Sequence, residues 1–272
     1  MKSSIGWING EWGLIENLNI SLNNRGLTLA DGIFETILIL QGKPKLLNKH
    51  LDRLKGSACL LGMKTPPQKE WVISLIEEGI ACANLSNMNG SIRINWSRGK
   101  RLGRGINLGS GDQKHEFWIE INHGEPCFQP ITTIISKFEQ RNAKSQINLC
   151  KTFAYTQSIN ARREAQKAGK DEALLLSTNG DLSCGSASNL IIKRNNEWIT
   201  PPLSTGCLPG IMRGQGLKNG IIKEAKIEIE PHINDQWLLI NSLSCHPIKE
   251  LNNKHLNIFK SAKSFWLELY QL

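Results

Sequence analysis

The sequence lacks the patterns that announce metals, membranes and export. Its seven cysteines, Cys59, Cys82, Cys127, Cys150, Cys184, Cys207 and Cys245, are odd in number, scattered and nowhere spaced as C-x-x-C. That argues against a disulfide framework and a zinc knuckle, and most are expected to be buried apolar fillers. The six histidines form no H-E-x-x-H or H-x-x-x-H pair, so no metal is expected. No apolar run approaches the roughly 18 residues that a membrane helix needs. The start, MKSSIGWING, has a lysine but neither a continuous apolar stretch nor a small-residue cleavage site, so it does not read as a signal peptide and a cytoplasmic location is expected. Internal repeats and low-complexity tracts are missing too.

What is present is an ordinary globular composition, 272 residues with 40% hydrophobic and 21% charged, long enough for two modest domains. A net charge of +9 raises the question of nucleic acid, but most of the lysines and arginines are interleaved with acids. The exception is SRGKRLGRG, where Arg98, Lys100, Arg101 and Arg104 crowd a glycine-rich loop. It reads as a solvated loop, or as a local anion site for a carboxylate substrate; a nucleic-acid site would need aromatic residues between the charges, and none are there.

Asn9-Gly10 between two short apolar runs predicts a hairpin, and GIFETILIL with KPKLL predicts a second around Gln41-Gly42. Leu47, Leu51, Leu54, Ala58 and Leu61 recur at helical spacing up to Gly62. Pro66-Pro67 is read as opening another helix. Strands are expected at SIRINWS, EFWIEIN, ITTIIS, EALLLS, NLIIK, EWIT and near 226–230 and 237–241, with helices over 153–168, from Pro209, and near 259–270. Helices and strands mix without strict alternation, so the fold class is α+β or irregular α/β. The polar, proline-bearing stretch 123–130 is read as a linker between domains at 1–122 and 131–272.

Two segments carry chemistry. In TGCLPGIMRG, Pro209 fits the first position of a helix, so the N–H groups of Gly210, Ile211 and Met212 would be first-turn donors able to cradle a phosphate. Arg53 could reach the same anion as a forked donor. In NLCKTFAYTQ, Lys151 is read as opening a helix and enclosed by Leu149, Cys150 and Phe153. Such enclosure favours the neutral amine that forms a Schiff base. Taken singly, each has a plain structural reading: a proline-started helix capped by water, an arginine on a solvated face, a surface lysine. Together, a phosphate cradle and a buried lysine describe pyridoxal phosphate.

The order of these pieces resembles the class IV, fold-type IV, pyridoxal-phosphate enzymes, the family of branched-chain and D-amino-acid aminotransferases and aminodeoxychorismate lyases. RGLTLADGIFET is similar to the family's signature, with Ala30 in place of a glycine and Asn24 where an acid often precedes the arginine. The resemblance implies a two-domain fold with a smaller N-terminal domain and a homodimer. It makes Lys151 the Schiff-base residue (KTFAYTQ) and puts Arg53 (HLDRL), the Ile211 and Met212 N–H groups (LPGIMR) and Ser242 (INSL) on the phosphate. Tyr155 falls near the tyrosine that meets the cofactor's phenolic oxygen. The loop with Arg98 and Arg104 and the INSL segment look like the lyase versions, so a small anionic substrate is implied. In an aminotransferase Phe34 would shape a side-chain pocket.

Cys184, in GDLSCGSASN, departs from the pattern. Relatives carry a glutamate there, facing the pyridine nitrogen; a thiol, with an ordinary pKa of about 8.5, holds that proton poorly. Glu172 and Asp181 are the nearest acids in sequence that could substitute. The resemblance therefore implies a lyase that makes p-aminobenzoate and pyruvate, with an aminotransferase or a non-catalytic cofactor-binding homologue as alternatives.

Overall fold

A computed structural model describes residues 4–101, 103–108 and 114–271; Leu102 of the basic loop lies outside them. The chain divides into two compact units, Met1–Glu125 with Cys150–Ala154, and Pro126–Leu149 with Tyr155–Leu272. Both mix helices with sheet, and the architecture is α+β.

In the first unit, β1 (Ile5–Ile8) and β2 (Glu11–Leu14) form the hairpin expected at Asn9-Gly10. Both turn residues take positive φ, 54° and 97°, as a tight two-residue turn requires. Next comes α1 (Arg25–Leu29), a short helix that periodicity does not reveal; Asn24 caps it by accepting from the Gly26 N–H at 2.7 Å. Then follow β3 (Gly32–Leu40), β4 (Lys43–Pro44), α2 (Leu47–Leu60), α3 (Lys69–Cys82), β5 (Gly90–Ser97) and β6 (Glu116–His123). The sheet runs β2-β1-β6-β5-β3-β4. Ile33, Ile37 and Ile39 of β3 meet Leu51, Leu54 and Ala58 of α2 and Ile76 and Ile80 of α3 in one buried cluster. Burying each large aliphatic side chain contributes about 1.5–3 kcal/mol, so this face sets how α2 lies on the sheet. Helix α3 starts at Lys69 and not at Pro66-Pro67, because the residue before a proline is pushed out of the helical region.

The second unit holds β7 (Ile131–Arg141), α4 (Thr156–Lys167), β8 (Glu172–Ser177), β9 (Leu182–Gly185), β10 (Asn189–Arg194), β11 (Glu197–Thr200), α5 (Ile211–Lys218), β12 (Ile222–Glu224), β13 (Gln236–Ile240), β14 (Cys245–Leu251), β15 (Lys254–His255) and α6 (Ala262–Tyr270). Its sheet runs β12-β11-β10-β13-β14-β7-β8-β9, and β9 also pairs β10. The six strands from β10 round to β9 thus close into a ring, sealed by a single pair, Asn189 opposite Cys184. Leu174, Leu190, Trp237, Leu239 and Ile248 fill the interior.

Two expectations are corrected here, and one strand is added. The strand expected at 226–230 does not form; β12 lies earlier, at Ile222–Glu224, and Ile227 is instead a buried plug in the core. Strand β14 has no counterpart among the expected strands, and Pro247 within it pairs with Leu238 of β13. The helix read over 153–168 begins at Thr156. Residues before it are bound elsewhere: the Phe34 N–H donates to the Lys151 carbonyl and the Phe153 N–H to the Gly32 carbonyl, both at 2.9 Å. This short antiparallel contact with the start of β3 is why Cys150–Ala154 belongs to the first unit. Phe153 can lie there because residue 32 is glycine; a Cβ would come within 2.2 Å of its ring.

Candidate active site

In the first unit the side chains gather around Phe34 and Glu35, neighbours on β3. Lys151 Nζ stands 4.3 Å from the centre of the Phe34 ring, and the guanidinium carbon of Arg93, on β5, lies 3.7 Å from the same ring. An aromatic face attracts cations electrostatically, so the ring holds an amine and a guanidinium as a common platform. Lys151 is half-buried. It does not open a helix, and Phe34 supplies an apolar contact. Glu35 is 1% exposed and takes both arms of Arg53, Nε to Oε1 and Nη2 to Oε2, each at 2.7 Å. His50, fully buried, meets Oε2 through Nδ1 at 2.7 Å.

The basic loop is less open than its sequence implies. Arg98 is only 6% exposed: Nε donates to both oxygens of Asp31, Nη1 to the Gly62 carbonyl at 2.9 Å and Nη2 to the Leu61 carbonyl at 2.8 Å. Every nitrogen of its guanidinium has a protein acceptor, so Arg98 ties the loop to the end of α2, a structural part where a substrate-binding one was expected. Arg104 is exposed. Arg93, which no motif singles out, also donates from Nε to Asn95 Oδ1 at 2.8 Å, two positions along the same strand, and lies 4.0 Å from Glu120.

In the second unit the chemistry gathers at the closing pair of the ring. Cys184 is buried, and Arg141 Nε donates to its sulfur at 3.4 Å. The same guanidinium donates to Gln157 Oε1 at 3.1 Å, Ser158 Oγ at 3.0 Å and the Ser186 carbonyl at 3.2 Å. All of these acceptors are uncharged groups or the thiol. Neither acid named as a substitute reaches Cys184: Glu172 is paired with Arg162, and Asp181 with Lys226 at 3.6 Å.

Asn189 joins Cys184 to the two other pieces. Its side-chain N–H donates to the Leu208 carbonyl at 2.9 Å, just before α5, and its backbone stands opposite Ile240, just before Asn241 and Ser242. Helix α5 starts at Ile211 with Gly210 as its cap residue and no side chain capping it. Pro209 is therefore outside the helix, and the Gly210 N–H is already donated to Leu208; the first-turn donors are those of Ile211, Met212 and Arg213. A side chain at position 210 would meet Asn189 Oδ1 at 1.9 Å, so glycine permits the approach. The Ser242 turn is built by Asn241, whose Oδ1 accepts from the Leu243 N–H at 2.8 Å. Helix α6 braces it: Tyr270 donates its hydroxyl to the Ser242 carbonyl at 2.8 Å and Trp266 Nε1 to the Asn241 carbonyl at 3.1 Å. Burial pushes the Tyr270 phenol well above its ordinary range. Tyr155 immediately precedes α4.

Among the described residues no group of His, Cys, Asp and Glu could hold a metal ion, and no helix is long and apolar enough to cross a membrane. The first unit presents a lysine amine on an aromatic face and an arginine fixed by a carboxylate; the second presents a helix start without a side-chain cap and a serine turn. The family model for amino-transferase class IV matches residues 32–251, and the chain belongs to that family. It is 30% identical over 228 residues to a putative branched-chain-amino-acid aminotransferase of Methanocaldococcus jannaschii, covering 82% of this chain and 76% of that protein. It is equally 30% identical, over 195 residues, to a putative aminodeoxychorismate lyase of Schizosaccharomyces pombe, covering 71% and 75%. The fold is shared with the branched-chain amino acid aminotransferase of Escherichia coli, at a TM-score of 0.88 and 20% identity, over 100% of this chain and 95% of that one.

Pyridoxal phosphate is the cofactor that family membership implies. The residues of each unit fit it: in the first, an amine for an aldehyde and a guanidinium for a phosphate, and in the second, the first-turn N–H groups of a helix that no side chain caps. The departure is Cys184, a thiol among neutral partners and one arginine.

Proposed function

We propose that this protein is a pyridoxal-phosphate-dependent aminodeoxychorismate lyase, splitting 4-amino-4-deoxychorismate into p-aminobenzoate and pyruvate. The observation that carries this reading is Cys184, buried with Arg141 as its donor and with both nearby acids engaged elsewhere. When bound, the cofactor draws electron density from the carbon that bears the substrate's nitrogen. A transaminase leans on that pull twice in each cycle, and so on a firmly protonated pyridine ring. Loss of pyruvate from this substrate creates an aromatic ring, so the elimination brings its own driving force and tolerates a thiol where relatives have a carboxylate.

In this reading Lys151 would hold the cofactor through its aldehyde, and its Nζ would serve as the base for the hydrogen at the substrate's amine-bearing carbon. Phe34 keeps that amine on station through the contact at 4.3 Å. Arg53, the Ile211 and Met212 N–H groups and Ser242 hold the phosphate, and Tyr155 the phenolic oxygen. Arg93, on the same aromatic platform as Lys151, and the exposed Arg104 bind the substrate's carboxylates. Cytoplasmic location and a homodimer complete the proposal; sedimentation tests the second.

A class IV aminotransferase is the second reading, supported by the likeness to the Methanocaldococcus jannaschii protein. The experiment is to purify the protein, record its visible absorption with pyridoxal phosphate, and supply aminodeoxychorismate. Equal amounts of p-aminobenzoate and pyruvate, lost together with the visible band in Lys151→Ala, support the lyase. Amino transfer to a 2-oxo acid with no p-aminobenzoate supports the second reading. A visible band with neither product marks a non-catalytic homologue.

A further inference from the structure

Strand β3 carries one row of isoleucines into the core, Ile33, Ile37 and Ile39, and Glu35 stands in that row. Residues two apart on a strand share a face, so a carboxylate occupies a position that an apolar side chain would fill without cost. A buried ion pair adds little stability over well-packed apolar residues, because both charges must first leave water. Its presence calls for another account.

We propose that Glu35 is a positioning residue that acts through Arg53: the carboxylate fixes the heading in which the guanidinium presents its outer edge to the cofactor's phosphate, and His50 braces the carboxylate. This rests on Arg53 being a phosphate ligand, as proposed above. Two parallel bonds of 2.7 Å, from Nε and Nη2, hold the guanidinium coplanar with the carboxylate. Nε and Nη2 are thereby tied to Glu35 and the plane of the guanidinium is fixed. His50 and Arg53 come from positions three apart on α2, hence from one side of the helix.

The charges agree with the geometry. Burial works to raise the Glu35 carboxyl, but the Arg53 charge and the hydrogen bonds from His50 and Arg53 prevail and bring it down to about 2. Burial lowers His50 from its ordinary 6.5, although Glu35 pulls the other way. An ionised carboxylate can only accept, so His50 Nδ1 carries the hydrogen. At neutral pH the cluster holds one negative charge, one positive charge and a neutral imidazole.

The test compares pyridoxal phosphate with pyridoxal, which has the aldehyde but no phosphate. Dissociation constants for both are measured by visible absorption on the wild type, Glu35→Gln, Arg53→Gln and the double variant. A glutamine keeps the size of Glu35 but turns a donor toward a donor, so the fork is lost. The expected result is that Glu35→Gln and Arg53→Gln each weaken pyridoxal phosphate by about 10- to 100-fold and change pyridoxal by less than about twofold. The double variant should be no worse than Arg53→Gln alone. Where Glu35→Gln yields no folded protein, Glu35→Asp, which keeps the charge but shortens the reach, should lose part of the preference for the phosphorylated form.

Equal weakening of both ligands by the Glu35 variants overturns the inference, since damage to the fold would act on both. So does an unchanged preference in Glu35→Gln while Arg53→Gln loses it, or a double variant that loses the product of the two single effects. If Arg53→Gln itself leaves the preference intact, the assignment of Arg53 to the phosphate fails, and Glu35's part in it fails with it.

Discussion

Arg141 directs its Nε at the sulfur of Cys184, 3.4 Å away, and meets no carboxylate among the described residues. The guanidinium is thus oriented toward position 184 by three other bonds, whichever residue stands there. Cys184→Glu would give it a charged acceptor. The expected outcome is a rise in the ratio of amino transfer to lyase turnover of at least about tenfold, or 1.4 kcal/mol of relative barrier. Steady-state rates for both reactions on the same preparation decide it; an equal change in the two removes the basis of the lyase reading.

Arg93 and Arg98 sit on one strand and the loop after it, and the proposed function gives them different parts. Arg93→Met is expected to raise KM for a dicarboxylate substrate by about 10- to 100-fold with a smaller effect on kcat. Arg98→Met should instead cost about 2–4 kcal/mol of stability, because Asp31 and the carbonyls of Leu61 and Gly62 lose their donor, while the folded fraction keeps its KM. Urea denaturation and initial rates on both variants separate the two.

Ala30 closes α1 with φ at 53°, a left-handed conformation that costs a side chain about 1–2 kcal/mol. This is the position where the family signature has glycine. Ala30→Gly removes the strain but frees the unfolded chain, for a net gain of about 0.5–1 kcal/mol. A midpoint of thermal unfolding raised by about 1–3 °C is the expected reading.

Acid should loosen the first unit in two stages. His50 is depressed below its ordinary 6.5, so the unfolded chain takes up that proton first and stability begins to fall as pH drops below 6.5. Glu35 is depressed from 4.5 to about 2. Its contribution is complete above 4.5 and is lost as pH falls through that window, on the order of 3 kcal/mol. Urea midpoints measured across the acidic range should decline in this way, and Glu35→Gln should flatten the lower stage.

Much of this was legible in the chain because the signals were local. Asn9-Gly10 fixed a turn, the leucines of α2 fixed a helix, and the ordered motifs around Arg53, Lys151 and Ile211 led to the cofactor. What stayed hidden depends on partners far along the sequence. Lys151–Phe153 reads as the mouth of a helix, yet it is pinned to Gly32 and Phe34, more than a hundred positions earlier. Pro247 argues against a strand until Leu238 is seen beside it. Arg98 looks like a free cation until its three acceptors are known, and Glu35 like a core position until α2 brings His50 and Arg53 to it.

The backbone passes between the two units at three places, after Glu125, after Leu149 and after Ala154. A single proteolytic nick therefore cannot sever one unit from the other. Fragments expressed as 1–125 and 126–272 would misallocate the five-residue stretch that carries Lys151, leaving it on the piece that lacks Gly32 and Phe34. Any dissection of this protein into halves has to graft that stretch back onto the N-terminal part before either half can be judged.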